Sequence, residues 1–254
     1  MGLIYSRLAH RTVLLYSSSS STIEAISSTI VRKTVLRQDQ FLTEKKILSE
    51  LGSQHDNILS PILVSPDTDH YFLFSRASLD LCEAYIHSIE PPLSIWLPQF
   101  IEGMEFLARS SIEHYDIKPE NILLFQSCRG AWRIRIADFG LARSHASHYF
   151  YGCGTIGYLA PEINPLTHLE TPYVPHSMDV YGTSCMLYYL LCHRKMMSYE
   201  LWDLHDYRQL LQMDHIPSVV RAGLQLYPAD RPPIEDYLKT LHSLLPPPRP
   251  PRPT

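Results

Sequence analysis

"HYDIKPEN", His114 to Asn121, decides how this chain folds. An aspartate (Asp116), a lysine (Lys118) and an asparagine (Asn121) follow one another at intervals of two and three residues, with Pro119 among them, in a short loop. After this loop "NILLF" and "WRIRIAD" read as two strands, and "QSCRG" between them carries the turn glycine Gly130. A hairpin of that kind brings its two ends together, so Asn121 and Asp138 face one cleft. Ahead of the loop, "LSIWLPQFIEGMEFLARSS" places Trp96, Phe100, Met104 and Leu107 at helical spacing, and a proline such as Pro98 is tolerated only in a first helical turn.

Farther toward the N-terminus, "RTVLLYSSSSSTIEAISSTIVRKTVL" is rich in β-branched residues and has no helical stripe, which predicts a three-stranded antiparallel meander ending near Leu36. From Gln40 the period changes. Phe41, Leu48 and Leu51 define a helix that Gly52 stops, and Glu44 lies on its apolar stripe. An inward carboxylate is costly unless a cation meets it, and Lys33 in "IVRKTV" is such a cation. Two short strands around the Ser65–Asp69 turn complete a first lobe of about five strands and one helix.

Toward the C-terminus, "SMDVYGTSCMLYYLLCH" is apolar almost all round and predicts a buried helix. "PIEDYLKTLHSLL" closes the core with Ile234, Leu238, Leu241 and Leu245. The second lobe is therefore mainly helical, and the chain shows no internal repeat.

The composition, 45% apolar and 19% charged with a formal net charge of -4 over 254 residues, is that of a globular protein without the basic field that nucleic acid requires. The five cysteines form no C-x-x-C pair, which argues for reduced thiols rather than a disulfide framework or a zinc cage. The longest apolar run is too short for a bilayer and the N-terminus lacks the apolar core of a signal peptide, so the expectation is an intracellular protein. "MGLIYS" fits a myristoylation pattern at Gly2, which implies weak membrane contact if the site is used, or else is a plain terminus. "PPPRPPRP" from Pro246 is an extended polyproline segment that suits an SH3-type groove or stands as a solvated tail.

Taken together the motifs resemble the eukaryotic-type protein kinase family, from about Val13 to Leu245. "HYDIKPEN" is similar to its catalytic loop, "ADFG" (Ala137 to Gly140) to its metal-binding motif, and "GTIGYLAPE" (Gly154 to Glu162) to the end of its activation segment. Asp179 and Arg231 match two late structural anchors. The resemblance implies an α+β, two-lobed fold: an extension over 1–12, a small antiparallel β lobe with one helix over 13–75, a larger helical lobe over 76–245 and a Pro/Arg-rich tail over 246–254. It implies ATP and Mg2+ as cofactors and a protein as substrate. Asp116 would then orient and deprotonate the substrate hydroxyl, and Lys118 would meet the transferring phosphoryl group. Asn121 and Asp138 would bind magnesium, and Lys33 paired with Glu44 would hold the α- and β-phosphates. Glu162 would pair with Arg231, and Asp179 would anchor the backbone of the catalytic loop. Lys118 and the Gly154-Thr155 pair suit a Ser/Thr kinase, and "LFSRASLDLCEAYI" is loosely similar to compact herpesviral Ser/Thr kinases, which would place the protein in a host cell's cytoplasm or nucleus.

Two features depart from the family. Its phosphate-covering loop is glycine-rich, whereas the matching register here is Tyr16, Ser18, Ser21 and Ile23. Serine keeps the amide donors but adds bulk and restricts φ. Tyr115 replaces the arginine through which relatives bind a phosphate on the activation segment, so that segment is expected to be ordered without phosphorylation or regulated otherwise. Two classes stay open at this point: an active Ser/Thr protein kinase, and a pseudokinase that uses the fold as a scaffold because the serine loop weakens nucleotide binding. A small-molecule phosphotransferase is a third, disfavoured because "GTIGYLAPE" suits a protein platform.

Overall fold

The computed structural model describes residues 12–146, 148–165, 167, 169–192 and 214–245. Five antiparallel strands open the chain: β1 (Val13–Ser17), β2 (Ser21–Ala25), β3 (Ile30–Val35), β4 (Leu63–Val64) and β5 (Tyr71–Ser75), in the order β1-β2-β3-β5-β4. Alternation sets the faces. Phe72 and Phe74 of β5 are buried while Tyr71, Leu73 and Ser75 are half-buried, as a sheet covered on one side requires. Helix α1 (Gln38–Leu51) supplies the cover, burying Phe41, Ile47, Leu48 and Leu51 together with Glu44. Gly52 ends it at φ 60, a left-handed φ that glycine adopts without a Cβ penalty, and its N–H donates to the Leu48 carbonyl at 3.0 Å.

Beyond β5 the chain becomes helical. Strand β6 (Leu79–Asp80) leads into α2 (Leu81–Ile86), whose N-cap Asp80 accepts from the Glu83 amide at 2.8 Å. Helix α3 (Leu93–Arg109) buries Trp96, Phe100, Met104 and Leu107. Pro98 corrects the expectation of a first-turn proline, because it is the sixth residue of this helix. The ladder bond it cannot donate would have gone to Ser94, which is exposed, so solvent can satisfy that carbonyl.

The hairpin of β8 (Ile122–Gln126) and β9 (Trp132–Ile136) follows the short strand β7 (Ile112–Glu113) and pairs Ile122 with Ile136 and Gln126 with Trp132. Its turn closes through the Gly130 amide on the Ser127 carbonyl, with Gly130 at φ 80. Strand β10 (Arg143–Ser144) pairs back on β7. Helix α4 (Ser177–Cys192) is buried on every side from Ser177 to Tyr189, as its unbroken apolar run predicts. Two shorter helices, α5 (Ser218–Gly223) and α6 (Ile234–Leu241), pack on it. A Cβ on Gly223 would lie 2.0 Å from the Ser184 hydroxyl, so only glycine permits α5 to approach α4 this closely.

The Glu162–Arg231 pair locks this lobe. Both side chains are fully buried and joined by two parallel bonds of 2.7 and 2.8 Å, with Arg231 also donating to the Ser177 carbonyl at 3.0 Å. Buried charges persist only when paired and hydrogen-bonded in this way. Among the described residues no helix is long and apolar enough to cross a membrane. Gly2 and the tail from Pro246 lie outside the described residues.

Candidate active site

The catalytic-loop match hangs from α4. The Asp179 carboxylate, 1% exposed, accepts the amides of His114 and Tyr115, each at 2.9 Å, so one buried charge fixes two successive peptide groups. That grip accompanies a left-handed Tyr115 at φ 67, a conformation a bulky residue adopts only when its surroundings impose it. Asp116 follows directly, 7% exposed, and both of its carboxylate oxygens are engaged. Lys118 donates to Oδ2 and the Thr155 hydroxyl donates to Oδ1, both at 2.7 Å, while Lys118 also reaches Thr155 at 2.6 Å. Asn121 donates its side-chain amide to the Asp116 carbonyl at 2.7 Å, which leaves its carbonyl oxygen to offer elsewhere.

Opposite stands Lys33 on β3. Its ammonium donates to both oxygens of Glu44, at 2.7 and 2.8 Å, and to Asp138 Oδ1 at 2.8 Å. The inward Glu44 therefore has the partner that its position on the stripe demands, and Lys33 ties strand, helix and hairpin end together. Burial disfavours the ammonium, but the carboxylates of Asp138 and Glu44 outweigh it and hold the lysine's pKa above its ordinary value. The same lysine holds the Asp138 carboxyl down at about 2 against the pull of burial, so Asp138 is ionised at neutral pH. Asp138 adopts φ 67 and its side chain is 46% exposed, open to a ligand on the cleft side. Phe139 beside it is buried against the His114 ring, whose Nε2 lies 3.0 Å from the Ala137 carbonyl.

Tyr16, Ser18 and Ser21 lie with Lys33, Glu44, Asp116, Lys118 and Asp138 around one cleft of about 220 Å3. Ile23 is opposite Lys33 in strand register but is not among the lining residues. The serine turn is folded onto itself: the Ser18 hydroxyl accepts the amides of Ser20 and Ser21 at 3.2 and 3.1 Å, and the Ser18 amide donates to the Ser21 carbonyl at 2.9 Å. The serines thus keep the amides, as expected, yet one of them already occupies two.

A magnesium ion fits the donors available. It favours one or two protein oxygens completed by water and phosphate. The Asp138 carboxylate is one such oxygen on the cleft; the Asn121 side-chain carbonyl suits a second by its chemistry, although Asn121 is buried beside Asp116 and is not among the residues that line the cleft. Among the described residues no group of three His, Cys, Asp or Glu is arranged to hold a metal by itself.

Three contributions escaped the sequence reading. Thr155 was read as a mark of class, whereas its hydroxyl binds Asp116 directly. Gln40 lines the cleft one helical turn before Glu44, a placement its spacing of four residues could have indicated. Glu113, beneath the loop, is buried, accepts the Tyr173 hydroxyl and leaves Oε2 unpartnered. Burial first and the Asp179 charge second push its carboxyl up to about 7.

Comparison with known proteins identifies the family. The family model described as "Protein kinase domain" matches residues 12–252. The serine/threonine-protein kinase DCLK3 of Homo sapiens is 29% identical over 176 residues, 67% of this chain and 26% of that protein. The serine/threonine-protein kinase SBK1 of Danio rerio is 29% identical over 168 residues, 63% of this chain and 43% of its own length. The calcium/calmodulin-dependent protein kinase type 1 of Macrobrachium nipponense is 29% identical over 171 residues, 64% and 47% respectively. The matched stretch spans under half of each of these relatives. With the family model covering nearly the whole chain, the protein belongs to the protein kinase domain family.

Proposed function

We propose that the chain is an ATP- and magnesium-dependent Ser/Thr protein kinase that transfers the γ-phosphate to protein hydroxyls. The observation that carries the reading is the Lys33 ammonium within 2.8 Å of both Glu44 and Asp138. That cluster joins the cation for the phosphates to the metal-binding carboxylate across the cleft. Phosphoryl transfer requires positioning and charge neutralisation more than covalent help, and these groups supply both.

In this reading Asp116 orients the substrate hydroxyl and takes its proton, exchanging the Thr155 hydroxyl for that of the substrate. Lys118, already beside Asp116, neutralises the phosphoryl oxygens. Lys33 holds the α- and β-phosphates, with Glu44 fixing its position. Tyr16, Ser18 and Ser21 form the cover, while Ile23 stays on β2 opposite Lys33 and outside the cleft lining. Asn121 and Asp138 hold magnesium, which when bound supplies charge neutralisation at the phosphates. The catalytic domain runs over 13–245, with its lobes meeting after residue 75, and it acts in the cytoplasm or nucleus. The proline tail is a docking segment for an SH3-type domain, and a myristoylated Gly2 would add membrane contact.

The Ser18 contacts with the Ser20 and Ser21 amides favour a second reading, a pseudokinase scaffold, because those donors are diverted from phosphate. Transfer of labelled γ-phosphate to a generic basic protein separates the two. The kinase reading expects activity that Asp116→Asn removes; a wild type no more active than that variant refutes it.

A further inference from the structure

Tyr115 poses a problem that its hydrogen bonding does not solve. It is buried at a left-handed φ, its backbone amide is taken by Asp179, and its own hydroxyl is buried without a partner. A side chain held at such conformational cost with an idle hydroxyl acts through its ring. That ring meets Phe150 edge-on, with centroids 5.9 Å apart at 73°.

Phe150 has a second neighbour. The Arg143 guanidinium lies over its face at 4.5 Å, within the range of a cation–π contact. Arg143 is oriented from behind, its Nη1 donating to the carbonyls of Leu141 and Ala142, each at 2.9 Å. Among the described residues no carboxylate forms an ion pair with Arg143; Glu113, its register partner across the β7–β10 pair, accepts the Tyr173 hydroxyl instead. The cation therefore finds its counterpart in an aromatic face. The His148 ring packs on the same phenyl at 4.7 Å.

The consequence reaches the reacting groups. Phe150 lies five residues before Thr155, whose hydroxyl is on Asp116, and Gly154 between them approaches the catalytic loop so closely that a Cβ would stand 3.1 Å from the Tyr115 carbonyl. The segment is thus pinned to the loop twice, by Phe150 on Tyr115 and by Thr155 on Asp116.

We infer that Phe150 is a positioning residue: clamped between Arg143 and Tyr115, it holds the run from Phe150 to Glu162 against the catalytic loop in a substrate-ready state without covalent modification. This rests on the kinase reading for its catalytic consequence, but the ordering itself does not depend on turnover. No phosphate is needed where a neutral ring already engages the guanidinium and reaches the loop.

The experiment compares wild type, Phe150→Ala and Phe150→Trp in the whole chain, with wild type also assayed after phosphatase treatment. Thermal melting verifies that each variant folds. For Phe150→Ala the expected result is a kcat at least tenfold lower, a KM for ATP within about twofold of wild type, and faster proteolytic cleavage inside the segment. Phe150→Trp, which keeps an aromatic face for Arg143, should restore kcat to within about threefold and restore protease resistance. Phosphatase should change nothing. Equal kcat and equal cleavage in Phe150→Ala, or loss of activity on dephosphorylation, would overturn the inference. If wild type transfers no phosphate at all, the kinase reading fails while the cleavage comparison still decides the clamp: faster cutting in the alanine variant reversed by tryptophan supports it, and equal cutting refutes it.

Discussion

The two walls of the cleft are built on different principles. The lower wall, from His114 to Asn121, is held by buried charge: Asp179 fixes two of its amides, and Lys118, Asn121 and Thr155 converge on Asp116. The upper wall, the turn from Ser17 to Ser21, follows an exposed strand and is held by the hydroxyl of Ser18. The charges of the lower wall depend on distant residues for their stability. The turn is held largely from within, with the Leu36 amide donating to the Ser20 carbonyl at 2.9 Å and Ser21 paired with Val35 as its ties to the sheet, and these backbone ties leave its side chains free to vary. In the proposed reading the groups for phosphoryl transfer sit in the lower wall, and the cover above sets how tightly nucleotide is held.

The sharpest break of that contrast is on the charged side. Asp138→Asn should lower magnesium-dependent transfer roughly ten-thousandfold, about 5 kcal/mol, while the protein still folds with a lower melting temperature, because asparagine fills the same space but lacks the charge that Lys33 meets. Steady-state assays at saturating magnesium read this directly, and undiminished turnover would remove Asp138 from the metal site.

Next in size is the pair that supports the lower wall from a distance. Arg231→Ala strands the fully buried Glu162 and should cost about 3–5 kcal/mol in denaturant unfolding. A midpoint equal to that of wild type would show that the pair contributes nothing. Replacing both partners by apolar residues of similar volume should recover most of the loss.

A smaller effect tests the support directly below the loop. The Glu113 carboxyl is raised to about 7 in the folded chain against an ordinary 4.5. Between those values the folded protein keeps a proton that the unfolded chain has released, so the Glu113 contribution to stability is full below about pH 4.5 and is lost as pH rises to about 7. Glu113→Gln should remove this component, about 2 kcal/mol, measured as the difference in unfolding free energy between pH 5 and pH 8. An unchanged slope would place the titration elsewhere.

The lower wall was legible in the sequence because its requirements are rigid. A buried Glu44 needs a cation, a hairpin brings its ends together, and "HYDIKPEN" tolerates few other meanings. Pro98 was misread because tolerance of a proline depends on whether the abandoned carbonyl faces water, which periodicity does not encode. The Ser18 bonds and the Phe150 clamp were hidden for a related reason. A serine run specifies a turn but not which hydroxyl captures which amide, and a lone phenylalanine carries no signal until Arg143 and Tyr115 are seen around it.

The difference between the walls predicts that the cover tunes nucleotide affinity and the charges create it. Calorimetric titration of magnesium-ATP into wild type and into the Ser18→Gly, Ser21→Gly double variant tests that claim most directly. Removing the Ser18 hydroxyl releases the Ser20 and Ser21 amides for phosphate, which should tighten binding by about fivefold, roughly 1 kcal/mol, less some entropy lost in ordering glycine. Measurable binding by wild type that strengthens in the variant agrees with the account. No binding by either protein, or tighter binding by wild type, would contradict it.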